Sequence, residues 1–204
     1  MDYDQQETQT HESDQWDPID LEQLPKWPKV IGVISIVIAS LGLTCGGIGL
    51  AMAPLAPKFM EAALEGDPVP YGMTVTATDF IIGGTGLLLS TLLLFSGIAA
   101  VTRRPVTRPM HLTYAIVAIP ITIWSMLNQF NKAALNEQWA KDFPNNPMAA
   151  GMDPSQNPAS QIGLIVGLTL GIGLGVGIPL FYLIWFGLIK TKPEQITGGD
   201  EGIY

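Results

Sequence analysis

The chain has 204 residues, of which 48% are hydrophobic and only 14% charged, with 22 Gly and 16 Pro. Soluble domains carry about a quarter charged residues, and most of these glycines lie inside long apolar runs, so the composition is that of a membrane protein. The net charge of −8 excludes nucleic acid as a partner, and the single cysteine, Cys45, excludes an intrachain disulfide and any zinc site built from several thiolates.

Residues 1–25 form an acidic tail, expected to be disordered: eight of the eighteen acids lie before residue 23, and no Lys or Arg precedes Lys26. Trp16, Ile19, Leu21 and Leu24 are apolar islands within it, suited to a docking peptide, although a solvated tether is the simpler reading. A membrane-spanning helix needs about 20 apolar residues. Val30–Ala53 meets this and ends at Pro54; it starts too late, is too long and follows too acidic a stretch to be a signal peptide.

The loop after it contains PKFMEAAL (57–64), which reads as a short helix lying on the bilayer. Glu61, Glu65 and Asp67 make an acidic face there, better read as solvated than as a cation site. Asp79 stands where an N-cap belongs, ahead of a second span over 80–101. The third span, 111–130, uses His111 and Asn128–Phe130 as interfacial ends. Beyond it, NKAALNEQWAKDF prolongs the helix, with Leu135, Trp139 and Phe143 recurring every fourth residue, before a Pro- and Asn-rich irregular stretch. The fourth span, 162–189, is long enough to tilt or bend, with Pro179 as the bend point. Residues 193–204 form a second tail.

Lys26, Lys29, Arg103, Arg104, Arg108, Lys190 and Lys192 flank span ends on one side, against Lys58, Lys132 and Lys141 on the other. By the positive-inside rule, both termini and the 103–108 loop are cytoplasmic, with Trp27 and Tyr71 as interfacial anchors. The expected fold is an all-α integral membrane protein: four transmembrane helices in an antiparallel bundle, N-in and C-in, over residues 26–192. Short helical pieces occupy its two external loops, and the cell (inner) membrane is the expected location.

Small residues are ordered along these helices. In the first span Gly32, Ser35, Ala39, Gly42, Gly46, Gly49 and Ala53 alternate spacings of three and four, the seam of left-handed helix packing. Gly83, Gly86, Ser90, Leu93, Gly97 and Ala100 repeat it in the second, and His111, Ala115, Ala118, Thr122 and Ser125 in the third. The fourth differs: Gly163, Gly167, Gly171 and Gly175 are spaced strictly by four, overlapping GxxxG units that favour right-handed crossings. Gly173 and Gly177 form another such unit on the opposite face. A helix with glycine on two faces suits packing on both sides, so homo-oligomerisation or a membrane protein partner is expected through this span.

No charged residue falls within the spans, which counts against a proton-coupled pump or a voltage sensor. His11 and His111 are too isolated for a metal site, and His111 reads as an interface residue. Neither a nucleophile beside a base nor a GxxxxGK[ST] loop occurs, so no catalytic residue, metal or cofactor is expected. The reading is a non-catalytic accessory, scaffold or assembly subunit acting through glycine-mediated helix packing. A channel or transporter component, with glycine faces lining a path, is the alternative.

Overall fold

In hydrocarbon a backbone has no partner but itself, so apolar runs of this length close their hydrogen bonds as helices. The computed structural model describes residues 25–64, 68–152, 158–192 and Ile196, and every regular element among them is helical. The chain runs through α1 (Trp27–Met52), α2 (Ala56–Ala63), a 3-10 turn (Tyr71–Met73), α3 (Ala77–Val101), α4 (Thr107–Asp142), α5 (Ala149–Met152), α6 (Pro158–Ile172) and α7 (Ile178–Ile184). π-helical turns at Gly173–Gly177 and Trp185–Ile189 flank α7. Four stretches are long and apolar enough to cross a membrane: α1, α3, α4 and the composite helix Ile165–Ile189. The tail expected to be disordered (Pro25 aside), Glu65, Asp67 and the second tail apart from Ile196 lie outside the described residues.

Helix ends follow local chemistry. Pro28 sits in the first turn of α1, where its missing N–H goes unnoticed. At α3 the expected cap is corrected. Thr76, not Asp79, is the N-cap: Thr76 Oγ1 accepts from the Asp79 N–H at 3.4 Å and the Thr76 N–H donates to Asp79 Oδ2 at 2.7 Å. This reciprocal pair satisfies two orphan donors where Asp79 alone would satisfy one, so the helix begins at Ala77. The fourth span breaks its α-helical pattern just before Pro179, in the first turn of α7. A proline offers no N–H to the carbonyl four residues back, and wider π turns accommodate the gap.

Residue pairings fix how the helices lie. Gly32 meets Gly97, Gly42 meets Ser90, Gly46 meets Leu87 and Leu50 meets Gly83, so α1 and α3 run in opposite directions. Ser96 reaches His111 near one end of α4, and Asp79 reaches Asn128 towards the other. In the π turns that flank α7, Phe186 stacks on His111, and Gly175 meets Thr122 further along α4. Ile31, Ala39, Leu93, Ala115, Tyr182 and Phe186 form the shared core, to which Ile196 returns.

A second, smaller core forms where α4 outlasts its apolar part. Trp139 is fully buried there with Leu64, Ala140 and Ala149, and its Nε1–H donates to the Pro68 carbonyl at 2.9 Å. The Gly72 N–H donates to Asn136 Oδ1 at 2.9 Å, and Lys132 Nζ lies 2.7 Å from Asp79. The α4 extension is therefore the post on which the loop between α2 and α3 is hung. Tyr71 packs on this core and donates to Asp142 at 3.4 Å.

Candidate functional site

The glycines singled out in the sequence fall into two sets. Gly32 and Gly97 bring two backbones together: a Cβ on Gly32 would lie 2.7 Å from the Gly97 oxygen, and one on Gly97 2.8 Å from the Gly32 oxygen. No side chain fits in that gap. Gly42 abuts Ser90, Gly46 abuts Leu87 and Gly83 abuts Leu50. The seams of α1 and α3 thus meet face to face, as close contact between membrane helices requires. Gly49 and Gly86 lie on the same seams but have nothing within 4 Å of an added Cβ. Gly46, Gly49 and Gly83 leave a half-open pocket of about 260 Å³ between α1 and α3, lined also by Leu50, Phe80 and Asp79. Lys132, Asn128 and Thr76 already donate to the Asp79 carboxylate.

At the other end of the bundle all four spans meet at one polar node. His111 of α4, Ser35 of α1 and Ser96 of α3 are fully buried, and Tyr182 of α7 is 1% exposed. The expectation that His111 is an interface residue is corrected: its ring stacks on Phe186 at 4.5 Å and packs edge-on to Tyr182 at 4.8 Å. His111 Nδ1 lies 2.8 Å from the Thr107 carbonyl. That oxygen only accepts, so Nδ1 is the donor of this pair. Ser35 Oγ stands 3.2 Å from Nε2 and 2.8 Å from the Ile31 carbonyl, while the Tyr182 hydroxyl approaches Ser35 Oγ at 2.8 Å. Ser96 Oγ closes on Nδ1 at 2.5 Å.

A serine beside a histidine whose far nitrogen is held by a carbonyl has the outline of a nucleophile and base. Catalysis also needs a cleft where a reacting atom can sit, and both residues are sealed at 0% exposure. What the node does is cross-link: each partner satisfies a polar group that hydrocarbon would leave bare. Ser35 and His111 stand on the small-residue seams, a signal available in the sequence. Ser96 and Tyr182 do not.

The fourth span is divided at its π turn. Past the turn, Tyr182 and Phe186 fill the core, and Gly187 lies against Leu112. At the turn, a Cβ on Gly175 would stand 2.6 Å from Thr122 Cγ2, and Thr122 Oγ1 donates to the Gly175 carbonyl at 3.0 Å. This is the carbonyl four residues before Pro179, the one that proline deprives of an α-helical donor. Gly177 approaches only its own helix. Before the turn the picture reverses. Gly163, Gly167, Gly171 and Gly173 have nothing within 4 Å of an added Cβ, and Ile162, Ile165 and Leu170 are 57–62% exposed. Among the described residues, Gly175 alone of the expected GxxxG ridge is brought against another helix.

The geometry therefore holds a sealed bundle at one end and an uncovered glycine ridge at the other. No protein family, curated protein or solved structure matches this chain.

Proposed function

We propose that this multi-pass membrane protein is a non-catalytic accessory or assembly subunit, whose α6 takes another membrane helix along its glycine ridge. One observation carries the reading: Gly163, Gly167 and Gly171 are spaced by four on α6, and among the described residues nothing lies within 4 Å of a Cβ added at any of them. Lipid tails are as apolar as Leu, so small residues bring an advantage in a membrane helix only where another backbone comes close. The α1–α3 contact uses glycine in that way, and α6 offers the same surface without a partner. Both termini and the 103–108 loop face the cytoplasm in this reading, as the Lys and Arg bias directs, and the cell (inner) membrane is the site.

Purification from native membranes in mild detergent, with the mass of the intact complex measured, tests the assignment. The expected species is heavier than one 21.9 kDa chain, and Gly167→Leu/Gly171→Leu reduces it to the single chain. A wild-type protein that runs as one chain throughout overturns the proposal. For orientation, single cysteines at the exposed positions Val106 and Asn145 in a Cys45→Ser background should react differently with an impermeant maleimide. Labelling of Asn145→Cys alone in intact cells is expected, and labelling of Val106→Cys alone reverses the topology.

A further inference from the structure

Beyond the helix partner, we propose that the end of the bundle around Trp27 is a binding site for the phosphate of an anionic phospholipid, held by Arg103, Lys190 and Trp185. Four separate segments bring these groups together. Arg103, just after α3, donates from Nη2 to the carbonyl of Pro25, two residues ahead of Trp27, at 2.9 Å. Lys190, at the end of the fourth span, holds its ammonium 5.6 Å from the centroid of the Trp27 ring. Trp185 packs edge-on against the same ring at 5.8 Å. Arg108, from the start of α4, closes the group by donating to the Phe186 carbonyl at 3.0 Å.

Donors here outnumber acceptors. Among the described residues, Arg103 Nη1 and Trp185 Nε1 are buried atoms with no hydrogen-bond partner, and an unsatisfied buried donor is costly. Among the described residues, Lys190 has a ring face and no carboxylate. The two ion pairs among the described residues, Asp79–Lys132 and Glu137–Lys141, both lie towards the other end of the bundle. The missing component is an acceptor-rich anion at the depth where a span ends. Arginine and tryptophan donors at that depth match a lipid phosphate. Arg103 also holds its backbone at φ 55°, left-handed as the residue after a helix end often is: its N–H returns to Ala100 and that of Arg104 to Ala99. Glycine is the unstrained residue there, so the fold gains nothing from an arginine except its side chain.

The test uses full-length protein in detergent, with retained lipid counted by native mass spectrometry after incubation with phosphatidylglycerol, phosphatidylcholine or inorganic phosphate. One phosphatidylglycerol per chain should be retained in preference to phosphatidylcholine, and excess inorganic phosphate should not displace it. Arg103→Gly/Lys190→Gln should weaken retention about tenfold while melting as the wild type does, since Gly relieves the left-handed backbone. Lys29→Gln/Arg104→Gln, which removes two exposed charges from the same end, should retain the lipid. Equal loss in both double variants would reduce the site to diffuse surface charge and overturn the proposal. So would displacement by inorganic phosphate, or retention that appears only after residues 2–22 are deleted, which would make the acidic tail the occupant.

Discussion

Two glycine faces of this molecule carry nearly the same sequence signal and have opposite surroundings. On α1 and α3, Gly32 and Gly97 sit backbone to backbone, and neither tolerates even a methyl group without movement. On α6, Gly163, Gly167 and Gly171 face open space. Spacing thus tells which side of a membrane helix is small, because small residues three or four apart share a face. It does not tell whether that side is covered by the same chain. The difference separates what holds the bundle together from what it has left to offer.

Substitutions can break this comparison, and the largest effect belongs to the closed face. Gly97→Leu should abolish the α1–α3 contact, costing about 3 kcal/mol or more, read as loss of the folded state in a dodecyl sulfate titration. A variant that unfolds like the wild type would mean the two backbones are not in contact. Next comes the polar node: His111→Leu strands Ser96, whose hydroxyl pairs with the ring, and should cost about 2 kcal/mol. Thr122→Val keeps the shape against Gly175 and removes one interhelical hydrogen bond, so about 0.6 kcal/mol is expected. The smallest effect on folding belongs to the open face. Gly167→Leu/Gly171→Leu should change unfolding by less than about 0.5 kcal/mol, because nothing among the described residues lies within 4 Å of a Cβ added there.

Much of this architecture is written in local sequence. Span positions follow from length and the exclusion of charge, and the start of α1 at Trp27 rather than Val30 reflects Pro28 in a first turn. The Thr76 cap was also legible as Thr-x-x-Asp, but attention to Asp79 alone obscures it. The node was not legible. His111 stands 76 residues from Ser35, and only the fold turns an isolated histidine near a span end into the point where four helices meet. Likewise Gly175 differs from Gly171 because Thr122 of another helix fills its space, a pairing that helix periodicity does not contain. The donors near Trp27 are hidden for the same reason: Arg103 and Lys190 count as topology signals in the sequence, and only the fold sets Lys190 over the Trp27 ring and Arg103 on the Pro25 carbonyl.

The most direct test of the account measures folding and assembly together on the same samples. Gly167→Leu/Gly171→Leu should unfold at the wild-type denaturant concentration yet lose the higher-mass complex, whereas Gly32→Ala should unfold earlier and lose both. If the α6 variant kept the complex, or lost folding and assembly in step, the open glycine face would not be the surface on which this protein works.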